Sequence, residues 1–115
     1  MAKTPSASDL KHRVVFDARQ EVSDDYGNTV SDWQEQFDVS AAIEHLGGRE
    51  VVIAARREGN EVQRVWVRIS SQTRQITNSW RMRDARRGTV YAIDSVDNVT
   101  IPGWVHLQVE SGAAA

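Results

Sequence analysis

A strict alternation of apolar and polar residues is the feature that most constrains the fold of this chain. It is clearest in residues 62–70, where Val65, Val67 and Ile69 alternate with charged or aromatic residues. The last such segment, residues 104–110, repeats it with Val105 and Leu107 on one face. Successive side chains of an extended strand point to opposite faces, so this period of two predicts half-buried β-strands.

Turn-forming residues separate the alternating segments. Asp24, Asp25, Gly27 and Asn28 form the densest turn signal, because Asp, Asn and Gly tolerate left-handed backbone geometry. Asp38 is expected to interrupt the segment that follows this turn. Many short strands with at most one helix are typical of a sandwich or small barrel, and not of an alternating βαβ fold. The predicted strands span residues 12–19, 29–37, 38–45, 62–70, 80–83, 89–96 and 104–110.

The stretch between residues 41 and 68 contains the ambiguous part of the chain. Gly47 and Gly48 end a strand, and the β-branched residues just after them favour another strand. An acidic residue early and arginines late in residues 49–57 match the helix dipole instead, which favours a short helix. The fold class predicted is mainly β, with six to seven antiparallel strands and one short helix or long loop inserted near residues 48–60. Residues 10–110 are expected to form one domain, with flexible segments at 1–9 and 111–115.

Composition excludes several classes of protein. The 115 residues are 40% hydrophobic and 26% charged, as in an ordinary globular domain, and carry a net charge of −2. With no cysteine, the chain can form neither a disulfide nor a thiolate metal site. The first residues lack the apolar region of a signal peptide, and no apolar run is long enough for a membrane span. We expect a protein without a membrane partner that is assembled in the cytoplasm.

No set of residues has catalytic or metal-binding spacing. His12, His45 and His106 are far apart in sequence, and no serine lies in a Gly-x-Ser-x-Gly turn. The acidic residues at 24–28 do not match a calcium loop, because the glycine comes too early for an EF-hand. We therefore expect no enzyme activity, no cofactor and no bound metal.

Arginines form two clusters, one at Arg81–Arg87 and one around Arg56, Arg57, Arg64 and Arg68. Trp66, Trp80 and Tyr91 lie near them in sequence, so a barrel that binds single-stranded nucleic acid is one alternative. Arginine also favours protein interfaces, where it forms forked pairs with carboxylates. Because the chain as a whole is slightly acidic, protein contact is the preferred interpretation, and a merely solvated face is the third alternative.

The ordered set of these residues resembles the head–tail joining proteins of long-tailed phages, also called head closure, head completion or stopper proteins. The resemblance extends over residues 10–109, and its most telling segment is 41–50. His45 departs from it, since family members often have Pro there. The remaining elements of the resemblance are the strand at 13–16, the turn at 25–28 followed by Trp33, the segment 65–68, Arg81 with Met82, Tyr91 with Ile93 and Val96, and Leu107.

The resemblance implies a small, closed or partly open β-barrel that acts as a structural virion protein in the neck between head and tail. Identical subunits, about twelve in the particle, would form a ring below the portal or adaptor protein, and the sequence leaves open whether the free chain is a monomer in solution. The ring would close the channel for double-stranded DNA without reading its sequence. It would also dock the tail terminator or tail tube.

Charge suggests which residues make these contacts, since complementary patches set register between subunits. The interface residues proposed from the sequence are Glu50, Arg56, Arg57, Arg68, Arg81, Arg83, Arg86, Arg87, Asp24 and Asp25. The segment 49–61 is the first candidate for a channel-facing loop, represented by Arg49, Arg57, Glu58, Gly59 and Asn60. Residues 72–79 are the second candidate.

Overall fold

Six antiparallel strands make up most of the chain. The computed structural model describes residues 5–45 and 60–112. Two short 3-10 turns, Ala7–Asp9 and Thr73–Gln75, accompany the strands. The strands are β1 (His12–Ser23), β2 (Thr29–His45), β3 (Glu61–Arg68), β4 (Arg81–Asp84), β5 (Val90–Asp97) and β6 (Trp104–Ser111).

The strands close into a barrel in the order β1-β2-β3-β6-β5-β4. The closing contact is short, because β4 has only four residues and pairs with β1 from Val14↔Asp84 to Asp17↔Arg81. A closed barrel leaves no free edge within its wall. The predicted mainly β fold and the barrel are thus confirmed, while the helix or loop predicted near residues 48–60 falls almost entirely outside the described residues.

The barrel interior is filled by the inward faces of all six strands. Val105, Leu107 and Val109 of β6 are fully buried, as their alternation predicted. Phe16 and Phe37 meet across β1 and β2 with ring centroids 5.6 Å apart. Ile76, outside the strands, is also buried and belongs to this core.

The second strand differs from the prediction made at Asp38. Instead of separating two strands, Asp38 is an exposed residue within the continuous β2, and its carboxylate accepts a hydrogen bond from Arg13 Nε at 3.0 Å. The irregularity in β2 lies two residues before Asp38. Phe16 pairs with Phe37 but Asp17 pairs with Glu35, so Gln36 is an extra residue in β2. Such a bulge bends a strand and increases its twist, so one long strand can run in one direction before the bulge and in another after it.

Beyond the bulge, β1 and β2 leave the barrel as a two-stranded ribbon. From Ala18↔Gln34 to Ser23↔Thr29 the two strands pair with each other, while β4 stops at Asp17 and β3 begins its pairing at Ala42. We call residues 18–34 the arm. At about 3.3 Å per residue, its six rungs project roughly 20 Å, and the molecule measures 52 × 36 × 26 Å.

Candidate interaction surfaces

The base of the arm is held by a buried carboxylate. Asp17 is 1% exposed, yet it lies on the outer face of β1 beside β4. Arg81 Nε donates to Asp17 Oδ2 at 2.7 Å. Arg83 approaches as a fork, with Nε 2.6 Å from Oδ2 and Nη2 3.0 Å from Oδ1. Arg83 Nη2 also contacts Glu35 Oε1 at 3.1 Å, so the arginine bridges β1 and β2 at the base of the arm.

Opposing effects act on the pKa of Asp17. Burial raises it, but hydrogen bonds from Arg83 and Arg81, together with their positive charges, hold the pKa below its ordinary value. The carboxylate is therefore ionised at neutral pH, and both arginines have a fixed partner within the chain. Their interface role proposed from the sequence stays a prediction.

Trp33 provides a second set of contacts that stabilises the base of the arm, beside the Asp17 carboxylate. Its ring lies between two guanidinium groups, with Arg19 Cζ at 4.6 Å and Arg81 Cζ at 4.7 Å from the ring centroid. Arg19 and Trp33 are directly paired across the arm. Cation–π contacts and forked ion pairs together fix the first rungs of the arm to the barrel.

The tip of the arm is an ordered turn. Asp24 Oδ1 accepts hydrogen bonds from the backbone N–H of Tyr26 at 2.9 Å and of Asn28 at 2.8 Å. These bonds, that of Asn28 first, lower the pKa of Asp24. Gly27 has φ +80°, the left-handed conformation that glycine adopts without strain. This turn presents Tyr26, which is 90% exposed, next to the exposed Asp25.

A cluster of tryptophans lies on the outside of the barrel. Trp66 and Trp104 are 3% and 8% exposed and meet edge to face at 6.4 Å, with Leu10 packed over them. His106 stacks on Trp66 at 4.8 Å, and its Nε2 lies 3.2 Å from Asp97 Oδ2. Trp66 has little free face for a nucleotide base, which removes the main residue behind the nucleic-acid alternative.

The barrel end opposite the arm is a wide, polar mouth. A cavity of about 500 Å³ opens there, bordered by the turn after β4. Asp84 Oδ1 accepts hydrogen bonds from the backbone N–H of Arg86 at 2.8 Å and of Arg87 at 3.0 Å. Both arginine side chains are exposed. Residues lining the cavity include His12, Ile43, Glu61, Arg86, Arg87 and Tyr91.

The structure places the sequence-based site residues in several separate regions. Asp24 and Asp25 are at the arm tip, Arg81 and Arg83 at its base, and Arg86 and Arg87 at the mouth. Arg68 lies over Trp104, with Cζ 5.1 Å from the ring centroid. Asn60 Nδ2 donates to Glu110 Oε1 at 3.2 Å, which ties the C-terminal end of the predicted channel loop to β6. The remaining residues, Arg49, Glu50, Arg56, Arg57, Glu58 and Gly59, lie outside the described residues.

Sequence reasoning missed Asp17 and Trp33 as structural residues. An aspartate that alternates with apolar residues on a strand looks like an ordinary exposed residue. The arginines one strand away, at 81 and 83, have the spacing of two that places both on one face. That spacing was the available signal, but it carries information only once β1 and β4 are known to be neighbours.

The described residues contain neither a metal-binding cluster nor a membrane-spanning helix. Among residues 5–45 and 60–112 no group of three or more His, Asp or Glu side chains is placed to hold a metal ion. None of the helical segments there is long and apolar enough to cross a bilayer.

Comparison with solved structures identifies the fold. The solution structure of protein SF1141 from Shigella flexneri 2a superposes with a TM-score of 0.70 at 15% identity, covering 96% of this chain and 100% of that one. A chain of the virion of a native gene transfer agent particle matches with a TM-score of 0.58 at 17% identity, covering 91% and 96%. At these identities the likeness concerns the fold alone. The search of curated proteins finds no match.

Comparison with protein families covers nearly the whole chain. Residues 5–112 match the family described as phage head completion protein. The matched segment includes the arm, all six strands and both barrel ends. This chain therefore belongs to the phage head completion protein family.

Proposed function

We propose that this chain joins the phage head to the tail as one subunit of a ring below the portal or adaptor protein. Membership of the head completion family makes it a structural virion protein, and this observation carries the proposal. The ring would narrow or close the DNA channel after packaging and offer the tail a docking platform. A function in assembly, and not in catalysis, agrees with the family.

The closed barrel and its projecting arm suit such a role. A ring of identical subunits needs two different surfaces on each subunit, because every copy binds one neighbour on each side. The arm and the body of the barrel are two such surfaces. The net charge of −2 argues against wrapping DNA along the whole surface, so DNA contact would be confined to a loop.

The segment between β2 and β3 is the proposed channel loop. The two described residues that flank it, His45 and Asn60, both lie at the mouth end of the barrel. In the ring, copies of this loop would meet and obstruct the channel. Contact with DNA there would not depend on base sequence, since no base-reading geometry is needed to obstruct a passage.

Deletion of residues 49–58 tests the proposal in particles that lack the wild-type protein. We expect a folded barrel and particles that contain the variant but leak DNA, measured as DNA protected from nuclease per particle. Alanine at the exposed Asn78 and Ser79, in the second candidate loop, is the control and should retain DNA. Full retention after the 49–58 deletion would contradict the channel role. Electron microscopy of the neck tests the ring itself, with about twelve copies expected.

A nucleic-acid-binding barrel is not proposed as a second function. Trp66 is buried, and Trp80 packs against the barrel core. Arg81 and Arg83 already bind Asp17. A salt-dependent gel shift with single-stranded oligonucleotides remains the direct test, and strong binding with a steep salt slope would reopen this interpretation.

A further inference from the structure

The arm tip has the composition of a contact surface. Four acidic residues and one arginine give residues 18–34 a net charge of −3, although the whole chain carries only −2. An acidic ribbon is repelled by DNA phosphates, so packaged DNA is a poor occupant of this surface. Tyr26 at the tip is almost fully exposed, and tyrosine is among the residues that most often supply binding energy at protein interfaces.

The tip is also preorganised. Asp24 orders the turn through the backbone of Tyr26 and Asn28. At the other end of the arm, Asp17 and Trp33 fix the first rungs to β4. A rigid projection loses less conformational entropy on binding than a loose loop does, so even a small contact at its tip can be productive.

A matching cleft lies on the barrel between the turn after β5 and the 3-10 turn Thr73–Gln75. Its lining consists of Ile69, Arg74, Asn98 and Val99, and its volume is about 280 Å³. Val99 is 84% exposed. Arg74 is exposed and forms no ion pair among the residues that the structure describes. The cleft thus offers apolar surface beside a positive charge.

Hydrogen bonds fix the walls of the cleft. The Ile69 N–H donates to Gly103 O at 3.0 Å, and the Arg74 N–H donates to Ser70 O at 3.1 Å. Asp97 Oδ1 accepts bonds from the backbone N–H of Val99 at 3.0 Å and of Thr100 at 2.9 Å. The partner surfaces are therefore preorganised on both sides.

We propose that the arm tip of one copy docks in this cleft of a second copy, with Tyr26 against Val99 and Asp25 beside Arg74. The arm projects away from the barrel, while the cleft lies across the barrel from β1, between β3 and the β5–β6 turn. The two surfaces differ, so the contact is heterologous, and its repetition from copy to copy gives a ring when the rotation between neighbours closes. This inference rests on the proposed ring and names the contact that builds it.

Charge reversal tests the contact in the full chain. Asp25→Arg and Arg74→Glu should each weaken self-association about tenfold or more, measured by sedimentation up to ~1 mM protein. The double variant, or an equimolar mixture of the two single variants, should restore association because opposite charges face each other again. Arg86→Glu changes an equally exposed arginine at the opposite barrel end and should have no effect.

Cross-linking provides a second readout, since the chain has no cysteine. Differently tagged Tyr26→Cys and Val99→Cys variants, mixed with a short bismaleimide, should give a hetero-dimer that a Tyr26→Cys and Asn78→Cys mixture does not. Circular dichroism checks that each variant is folded.

Three results would overturn the inference: no self-association of the wild type at ~1 mM, sensitivity to Arg86→Glu instead of Arg74→Glu, or no rescue by the double reversal. Incorporation into particles distinguishes a failure of the proposed contact from a failure of the proposed function. If Asp25→Arg particles contain the protein and retain DNA, the contact is wrong while the function stands. If wild-type protein is absent from particles, the function itself fails.

Discussion

The barrel interior and the arm are stabilised in opposite ways. The interior depends on many apolar side chains from six strands, including Phe16, Val105 and Leu107, all fully buried. The arm depends on a few polar and aromatic contacts at its base, chiefly Asp17 with two arginines and Trp33 between two guanidinium groups. The difference suggests that the arm can be loosened by one substitution without unfolding the barrel. The predictions below test this, from the largest expected effect to the smallest.

Phe16→Ala should reduce the stability of the whole molecule. Phe16 is fully buried and packs on Phe37 across the first two strands. Removing a buried phenyl ring from a core costs about 3–5 kcal/mol, a large share of the roughly 5–15 kcal/mol that stabilises a domain of this size. Urea denaturation measures the loss. A cost no larger than that of loosening the arm would contradict the contrast between the two regions.

Asp17→Asn should affect the arm more than the barrel. The amide cannot neutralise the charges of Arg81 and Arg83. Both arginine side chains are partly exposed, however, so water can solvate these charges. We expect a loss of about 1–3 kcal/mol in the free energy of unfolding. Hydrogen exchange should become faster in residues 18–34 and stay slow in β6.

Asp38→Asn is the matched control, since Asp38 also pairs with an arginine across β1 and β2 but is exposed. Exposed ion pairs contribute little, so the denaturation midpoint should not change within measurement error. Equal effects of the two substitutions would show that burial of Asp17 does not matter.

Acid should reproduce the effect of Asp17→Asn in the wild type. The folded-state pKa of Asp17 lies below its ordinary value of 3.8, so the unfolded chain takes up a proton first as pH falls. The contribution of Asp17 is therefore complete above about pH 5 and is lost as pH falls through the folded pKa. The stability difference between wild type and Asp17→Asn should shrink between pH 5 and pH 2. A constant difference would mean that the charge of Asp17 is not what stabilises the base.

Trp33→Leu should have the smallest effect of the substitutions that loosen the base of the arm. Leucine keeps apolar contact area but loses the attraction of the ring for Arg19 and Arg81. At a half-exposed site this is worth about 0.5–1 kcal/mol. Amide exchange at Arg19 and Asp32 should increase while urea midpoints hardly move; a global loss as large as that of Phe16→Ala would show that Trp33 belongs to the core.

Alternation of side chains was enough to predict the strands and the inward faces of β3 and β6. It could not predict the continuity of β2. In the sequence, a bulge at Gln36 and an exposed Asp38 within one strand look like a break between two strands. Trp66 was placed on the outward face, as alternation requires, but its burial by Trp104 and Leu10 depends on contacts between distant segments.

The candidate surfaces were predicted less completely. Acidic residues at 24 and 25 and arginines at 86 and 87 were selected by charge, and the structure places all four on exposed or half-exposed turns. Arg81 and Arg83 were selected by the same argument, but they bind Asp17. Charge in the sequence does not reveal whether a partner is already present within the chain. That depends on the pairing of β1 with β4, two strands more than 60 residues apart.

The shortest strand has a mechanical consequence. β4 closes the barrel with four residues, and two of them, Arg81 and Arg83, also bind Asp17 at the base of the arm. Force applied to the arm enters the barrel through the continuous backbones of β1 and β2, and the salt bridges of Asp17 transmit part of it to β4. Because β4 pairs with β1 over four residues and with β5 over only three, the barrel wall would open along β4 under such a load.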